Sequence, residues 1–270
     1  MGGRGANATP DRAPLPGYRA WATRLGLCEH GTMTCADLPD GQTSVPTGDA
    51  GARSAPVRAL FVSTAAACVD LVADPHVVAA WRRRSVLDAL SVGALAGHLT
   101  RGILQVEWFL DHEVPDAVPV TAAEYYAPFT DTGDLSSDRN RAVRERGSER
   151  AALGPEAVIA ETRACLGRII DRLPSIAPDR RVEATGSSGV RGRVLLLDEY
   201  LTVRLVEQTI HYDDLALSVP EATTVALRPA AYRAAIDTLV AAAILRHGPL
   251  PVLHALTRRE RDKFDALRVL

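Results

Sequence analysis

Residues 200–215 read Tyr200-Leu-Thr-Val-Arg204-Leu-Val-Glu207-Gln-Thr-Ile-His211-Tyr-Asp-Asp214-Leu215, and we predict that they belong to a long helix. Glu207 and His211 lie four residues apart, which on a helix places them one turn apart on the same face. A carboxylate and an imidazole in this arrangement can both reach one divalent cation. The segment therefore predicts two ligands of a metal site.

The polar residues of this helix form a stripe that has two interpretations. On a helical wheel stepped at ~100° per residue the stripe spans about 80°. It consists of Tyr200, Arg204, Glu207, His211 and Asp214. A polar stripe on a mostly apolar helix is also what a solvated face looks like, and a Glu and a His four residues apart often occur by chance. The stripe alone leaves both interpretations open.

A second helical segment supplies a third candidate ligand. It reads Ser91-Val-Gly-Ala-Leu-Ala-Gly-His98-Leu-Thr-Arg101, and His98 has few polar neighbours in it. A lone histidine on an apolar helix is usually a core residue, but Gly97 and Gly102 leave room beside it for a bulky group to approach. If His98 joins the other two ligands, a fourth position stays open, which is typical of a catalytic metal site.

The composition argues against several kinds of partner. The 270-residue chain is 47% hydrophobic and has a formal net charge of −2, so it offers no basic surface for nucleic acid or an anionic membrane. No apolar run approaches the roughly 20 residues that a membrane span needs. The first residues lack the apolar core of a signal peptide. We therefore expect a cytoplasmic protein with no nucleic-acid partner and no membrane partner.

The chain changes in composition near residue 55. Residues 1–54 are rich in Gly, Pro, Thr and Asp and have little hydrophobic periodicity. Such a segment cannot bury much apolar area, so we predict a flexible N-terminal extension at 1–54, followed by one helical domain at 55–270.

The four cysteines do not form a recognisable zinc motif. Cys28 and Cys35 flank His30 in the N-terminal segment, but their spacing matches no standard zinc pattern and a fourth ligand is missing. Cys68 and Cys165 fall in apolar helical segments, where a cysteine usually behaves as a small core residue.

Helix follows helix in the larger part of the chain. We predict that four helices form the core, at 57–73, 92–111, 155–173 and 196–217. Further helices are predicted at 122–126, 139–152, 230–247 and 252–262, with a short strand at 181–184 as an alternative to loop. The sequence therefore predicts an all-α fold, an antiparallel four-helix bundle with long crossover loops and extra C-terminal helices.

Three segments carry a resemblance to a known family. They are Val92-Gly-Ala-Leu-Ala-Gly-His98-Leu, the stretch from Tyr200 to Leu215, and the tail His247-Gly-Pro-Leu-Pro-Val-Leu-His254. Together they resemble the metal-binding domain of mycothiol-dependent maleylpyruvate isomerases, within the DinB-like four-helix-bundle superfamily, over roughly residues 56–262. The resemblance implies a DinB-like bundle whose divalent metal, usually zinc, is bound by His98, Glu207 and His211.

The same resemblance implies a thiol as cosubstrate. The isomerases carry an additional α/β domain, whereas after the second motif this sequence predicts only helices. We therefore expect the site to be completed by the loops of the bundle, by residues 1–54, or by a second subunit in a homodimer. Tyr200, Arg204 and Asp214 are candidates for supporting the catalytic chemistry.

These expectations favour an S-transferase that adds mycothiol to an electrophilic small molecule. A thiol has a pKa near ~8.5, and coordination to a divalent cation deprotonates it. Two neutral imidazoles and one carboxylate leave the site with a charge of about +1, which suits a thiolate. Three alternatives remain open, namely a mycothiol-dependent cis–trans isomerase, a non-catalytic bundle with a vestigial metal site, and metal-assisted hydrolysis.

Overall fold

The structure, a computed structural model, describes residues 50–112, 114, 116–129, 134, 136–184, 192–261 and 265–269. The α-helices of this part are α1 (Ala50–Val72), α2 (Pro75–Ala79), α3 (Val92–Leu110), α4 (Ala122–Tyr126), α5 (Asp138–Ala151), α6 (Pro155–Arg172), α7 (Leu197–Ser218), α8 (Pro229–His247) and α9 (Pro249–Thr257). Strands β1 (Arg181–Ala184) and β2 (Arg193–Leu196) pair antiparallel. None of the described helices is long and apolar enough to cross a membrane.

Helices α1, α3, α6 and α7 form the central bundle, which confirms the predicted all-α fold. Each of the four packs against its neighbours along an apolar seam. Large side chains that are fully buried in this core include Phe61, Leu95, Ile103, Ile169 and Leu197. Burial of these side chains, rather than any polar network, supplies most of the driving force for the bundle.

Local sequence signals account for where several helices begin. The Ser91 hydroxyl accepts a hydrogen bond from the Ala94 amide at 3.1 Å, so that it caps α3 as predicted. Thr121 and Glu124 form a capping box at the start of α4. Pro155 occupies the first turn of α6, where its missing N–H is no loss. Where the sequence contains such a signal, the helix in the structure begins within one residue of the predicted start.

Other boundaries differ from the predictions. Helix α7 begins at Leu197 because the preceding residues form β2, a strand that the sequence analysis missed. The last predicted helix, 252–262, is instead α9, which begins at Pro249 and ends at Thr257. Helix α1 begins at Ala50, upstream of the predicted start. Residues 50–54 of the predicted flexible extension belong to α1. The rest of that extension, with the group of Cys28, His30 and Cys35, lies outside the described residues.

Helices α3 and α5 cross at very close range. A Cβ atom placed on Gly97 would lie 2.6 Å from the Gly147 carbonyl oxygen, and one on Gly147 would lie 2.7 Å from the Ala94 carbonyl oxygen. Only glycine fits at such a crossing. The room predicted beside His98 is therefore filled at Gly97 by the backbone of α5. It remains at Gly102, where a Cβ would meet only the Arg204 Nη1 at 3.9 Å.

Polar anchors fix the start of α7 and the short helix α4. Arg58 on α1 pairs with Asp198 at 2.9 Å and donates to the Leu173 carbonyl at 2.7 Å. The Glu199 carboxylate accepts from the Ala122 amide at 2.7 Å, and Arg246 on α8 donates to the Ala127 carbonyl at 2.9 Å. Because α4 is held between α7 and α8, its last residue, Tyr126, is brought against the middle of α7.

Candidate metal centre

Helices α3 and α7 bring the three predicted ligands together. The Glu207 Oε2 lies 3.8 Å from the His98 Nε2 and 3.6 Å from the His211 Nε2. The two imidazole rings meet edge to face, with their centroids 4.7 Å apart. One ligand atom from each residue lies within 4.8 Å of the others, and no other such group is found among the described residues.

The spacing and the donor set fit a divalent metal ion. Zinc bound at about 2.0–2.2 Å in a tetrahedral site places its ligand atoms about 3.4 Å apart. The two measured distances of 3.6 and 3.8 Å exceed that value by only a few tenths of an ångström. Two imidazole nitrogens and one carboxylate oxygen are also ligands that zinc prefers. The residues present can therefore hold such an ion after a small inward movement.

Two further residues hold the ligands in place. The Asp214 Oδ2 lies 2.9 Å from the His211 Nδ1, an arrangement that leaves the Nε2 of the same ring free to face Glu207. The Tyr126 hydroxyl donates to the Glu207 Oε1 at 3.0 Å. Burial raises the pKa of Tyr126, so this hydroxyl stays protonated and remains a donor. Glu207 therefore presents its other oxygen, Oε2, to both histidines.

The charge states follow from these contacts. Burial raises the pKa of the Glu207 carboxyl, but hydrogen bonds with His211 and His98 outweigh it and leave that pKa well below its ordinary value. Burial lowers the pKa of His98, which leaves this imidazole neutral at neutral pH. For His211, burial is outweighed by the Asp214 and Glu207 carboxylates, which raise its pKa to about 9. The centre thus combines an ionised carboxylate with two half-buried imidazoles.

The solvated-face interpretation of the polar stripe does not hold. The side chains of Glu207, His211 and Asp214 are only 24, 18 and 21% exposed. Tyr200 is 1% exposed, and its ring packs edge to face against Phe109. The stripe faces α3 and α4 across the interior of the bundle.

Two candidates for catalytic support, Tyr200 and Arg204, lie farther along the stripe from His211. The Arg204 guanidinium carbon lies 5.3 Å from the centre of the Tyr200 ring. The Tyr200 hydroxyl is buried without a hydrogen-bond partner among the described residues. The supporting role predicted for both residues stays a prediction, whereas Asp214 contacts a candidate ligand directly.

Sequence reasoning missed several residues that surround the centre. The small cavity at the ligands is also lined by Arg101, Gln105 and Gln208, which were missed, and by Gly102 and Arg204, which the sequence analysis had named. Tyr126 comes from a helix 81 positions before Glu207, and no local pattern links the two. Arg101 lies in the quoted α3 segment three residues after His98, so its place on the same helical face was a usable signal.

One of three comparisons with known proteins finds a match. No curated protein and no solved structure matches the chain. A family model does match, over residues 61–216, and it describes the mycothiol maleylpyruvate isomerase N-terminal domain. The match covers more than half of the 270 residues and includes the three candidate ligands. The chain therefore belongs to the mycothiol maleylpyruvate isomerase N-terminal domain family.

Proposed function

We propose that the protein is a zinc-dependent, or other divalent-metal-dependent, S-transferase that joins mycothiol to an electrophilic small molecule. The observation that carries the proposal is the convergence of His98, Glu207 and His211 on one cavity. The family description, which names mycothiol, supports a low-molecular-weight thiol as the cosubstrate. The proposal includes a cytoplasmic location, because thiols are kept reduced there.

The chain's own residues would hold the metal and set its charge. Binding of a divalent ion would displace the proton that the raised pKa of about 9 keeps on His211 at neutral pH. Neutral imidazoles at His98 and His211 with the Glu207 carboxylate would then leave the centre with a net charge of about +1. Asp214 fixes the ring of His211, and Tyr126 fixes the carboxylate. A divalent ion held there would lower the pKa of a bound thiol from its ordinary ~8.5, so that the sulfur is present as thiolate.

The described cysteines are unsuited to act as the nucleophile. Cys68 and Cys165 are 0 and 1% exposed. Burial raises the pKa of both thiols, to about 12 for Cys165. Neither is among the residues that line the cavity at the ligands. Neither described cysteine is therefore suited to supply the thiol, which the proposal takes from an external molecule.

The transfer forms one bond and breaks another. The thiolate sulfur bonds to an electrophilic carbon, a leaving group departs with the bonding electron pair, and the thiol proton passes to solvent. A second candidate is favoured by the family description, which names an isomerase. In that reaction the thiolate adds to a double bond, the adduct rotates about the resulting single bond, and the thiol is expelled. The third candidate is a non-catalytic bundle that keeps a vestigial metal site.

The variant Glu207→Gln tests the proposal. The amide keeps the shape of the carboxylate but loses its charge, so metal affinity should fall and thiol-dependent turnover should fall with metal occupancy. Excess zinc should restore part of that turnover. Folding should survive, because the bundle is held together by its apolar seams. Undiminished metal binding by the variant would remove Glu207 from the ligand set.

A thiol screen separates the three candidates. Mycothiol, glutathione and cysteine are each offered with electrophilic acceptors, and mass spectrometry detects the adducts. Adducts that form faster with the protein support the transferase, whereas a changed acceptor geometry without net adduct supports the isomerase. If the metal-loaded protein accelerates neither reaction, the vestigial site takes the place of the enzyme. The predicted homodimer is tested separately by sedimentation velocity.

A further inference from the structure

A cleft of arginine side chains adjoins the candidate metal centre. It lies between α3 and α5, has a volume of about 550 Å³, and is lined by Arg101, Arg146 and Arg150. Arg101 and Gln105 line both this cleft and the small cavity at the metal ligands. The cleft and the metal centre are therefore neighbouring parts of one depression.

The positive charge of the cleft is mostly uncompensated. Arg150 is the exception, because it pairs with Glu161 at 3.0 Å. Neither Arg101 nor Arg146 forms a salt bridge with a carboxylate in the described part of the chain. Glu149 also lines the cleft but is exposed to solvent. Burial lowers the pKa of Arg101, and the neighbouring guanidiniums of Arg146 and Arg204 lower it further.

A single neutral amide serves two of these arginines. The Gln105 Oε1 accepts from the Arg204 Nη1 at 3.4 Å in one orientation of the amide. In the flipped orientation the same oxygen accepts from the Arg101 Nη1 at 3.0 Å. The amide oxygen can face only one of the two at a time, so one guanidinium always lacks its acceptor.

Residues with buried, unpartnered polar atoms line the same depression. Gln208 is 1% exposed, lines the cavity at the metal ligands, and has no hydrogen-bond partner among the described residues for its Oε1 or its Nε2. Within the same part of the chain, the buried Nε atoms of Arg146 and Arg204 also lack partners. A buried polar group without a partner lowers the stability of the protein, and a ligand that supplies the partner restores it.

The lining of the cleft also has an apolar part. Leu104, Trp108 and Leu153 belong to it, and Trp108 and Leu153 are 49 and 58% exposed. A ligand with a negative group and a hydrocarbon part would complement this lining. Gly102 leaves the passage towards the metal ligands free, since its nearest neighbour there is the tip of Arg204.

We propose that this cleft is a carboxylate-binding subsite, in which Arg101 and Arg146 bind the acid group of a small organic ligand that reaches the metal centre past Gly102. The inference deepens the proposed function, on which it rests for the reaction. The carboxylate belongs either to the thiol or to the electrophile.

The binding test compares an acid with its neutral analogue. Phenylacetate and phenylacetamide are titrated into the purified full-length protein, and the NMR shift of the Trp108 indole N–H reports binding. We expect phenylacetate to bind and phenylacetamide to bind at least about tenfold more weakly, because a charge-assisted contact contributes about 1.5–3 kcal/mol. Equal affinity for the two compounds would overturn the proposal.

Two independent variants locate the subsite. Arg101→Gln and Arg146→Gln should each raise the dissociation constant of phenylacetate by about tenfold and leave that of phenylacetamide unchanged. Arg83→Gln is the matched control, because Arg83 is exposed and lies outside the cleft, and it should change neither. If one of the two cleft variants does not fold, the phenylacetate affinity of the other variant tests the proposal. Phenylacetate binding that is insensitive to the folded variants would overturn the proposal.

The same titration after metal removal separates the inference from the proposed function. If a chelator removes the metal but arginine-dependent phenylacetate binding persists, the subsite stands by itself. Zinc binding to the three ligands without arginine-dependent phenylacetate binding would overturn the subsite and leave the metal centre standing.

Matched reagents identify which substrate carries the carboxylate. Cysteine and cysteamine differ in the carboxylate of the thiol, and iodoacetate and iodoacetamide differ in that of the electrophile. In each reaction a C–S bond forms, the C–I bond breaks, iodide leaves with the electron pair, and the thiol proton passes to the buffer. If Arg101→Gln slows turnover of iodoacetate about tenfold but spares iodoacetamide, the acid lies on the electrophile. The same contrast between cysteine and cysteamine would place it on the thiol, and no contrast in either pair would overturn the proposal.

Discussion

Two regions of α3 differ in how their charged side chains are paired. At the C-terminal end, Glu107 accepts from Arg168 at 2.7 and 2.8 Å, and Asp111 accepts from Arg172 at 2.6 Å. Around His98, nearer the start of the helix, Arg101, Arg146 and Arg204 form no salt bridge with a carboxylate among the described residues, and only Arg150 is paired, with Glu161. The same helix therefore has paired charges at its C-terminal end and unpaired arginines around His98.

This difference shows in which region the protein tolerates polar groups that lower its free energy of unfolding. Exposed ion pairs such as Glu107–Arg168 each contribute about 0–1 kcal/mol. Buried polar groups without partners cost more than that, and proteins tolerate them mainly at functional sites. Changes at the paired end should therefore alter stability slightly and leave ligands unaffected. Changes at the unpaired region should alter binding and leave the fold intact.

The largest expected effect comes from removing a candidate metal ligand. His98→Ala leaves two protein ligands, too few to hold zinc against a chelator. Zinc content after dialysis should fall from about one ion per chain to nearly none, measured by elemental analysis. His254→Ala, on α9 and outside the cavity at the ligands, is the control and should keep its zinc. Full zinc retention by the His98 variant would show that the ligand set is wrong.

A smaller effect is expected from the residue behind His211. Asp214→Asn keeps an acceptor for the His211 Nδ1 but removes the negative charge, and loss of such support typically costs about 10–100-fold in metal affinity. Competition with a chromophoric chelator measures that affinity. Asp213→Asn, at an exposed neighbouring position, is the matched control. Equal affinities for the two variants would mean that the contact with Asp214 has no influence on the centre.

The glycine crossing links the two regions through the position of α5. Gly97→Ala places a methyl group against the Gly147 carbonyl oxygen and should destabilise the protein by about 1–3 kcal/mol. Gly167→Ala, on α6, meets no atom within 4 Å and should stabilise it by about 0.5–1 kcal/mol through helix propensity. Urea unfolding measures both. If both variants change stability in the same direction, the close crossing is not what requires glycine at position 97.

The smallest effect is expected at the paired end. Arg168→Ala should destabilise the protein by less than about 1 kcal/mol and leave zinc content unchanged. The hydrogen bond from Arg168 lowers the pKa of the Glu107 carboxyl. The stabilisation is therefore present above the ordinary glutamate pKa of about 4.3 and is lost as pH falls through the lowered value. Unfolding at neutral and acidic pH measures this, and a destabilisation that grows in acid would contradict the assignment.

Most of the fold could be predicted from the sequence, because the patterns that mark its helices are local. Ser91 and Pro155 mark helix starts by capping and by a fixed backbone angle, and the apolar periodicity between them predicts the bundle seams. Strand β2 was missed because Arg193–Leu196 is four residues long and runs directly into α7. A strand that short has no distinctive period of its own, and it becomes recognisable only by its pairing with β1.

Only part of the candidate site could be predicted from the sequence. The spacing of Glu207 and His211 is a property of one helix. His98 was a candidate from its place on a second, mostly apolar helix, and the family resemblance supported it. Tyr126 and Arg146 reach the site only through the packing of α4 and α5, which no local pattern encodes. The unpartnered amide of Gln208 is likewise invisible in the sequence, because burial and hydrogen bonding are properties of the folded chain.

X-ray absorption at the zinc edge tests the central claim most directly. The zinc-loaded protein should show only nitrogen and oxygen ligands at about 2.0–2.2 Å, with scattering from two imidazoles, because His98, Glu207 and His211 supply no sulfur. Addition of mycothiol should introduce one sulfur ligand at about 2.3 Å. A spectrum with sulfur before any thiol is added, or without sulfur at saturating mycothiol, would contradict the account.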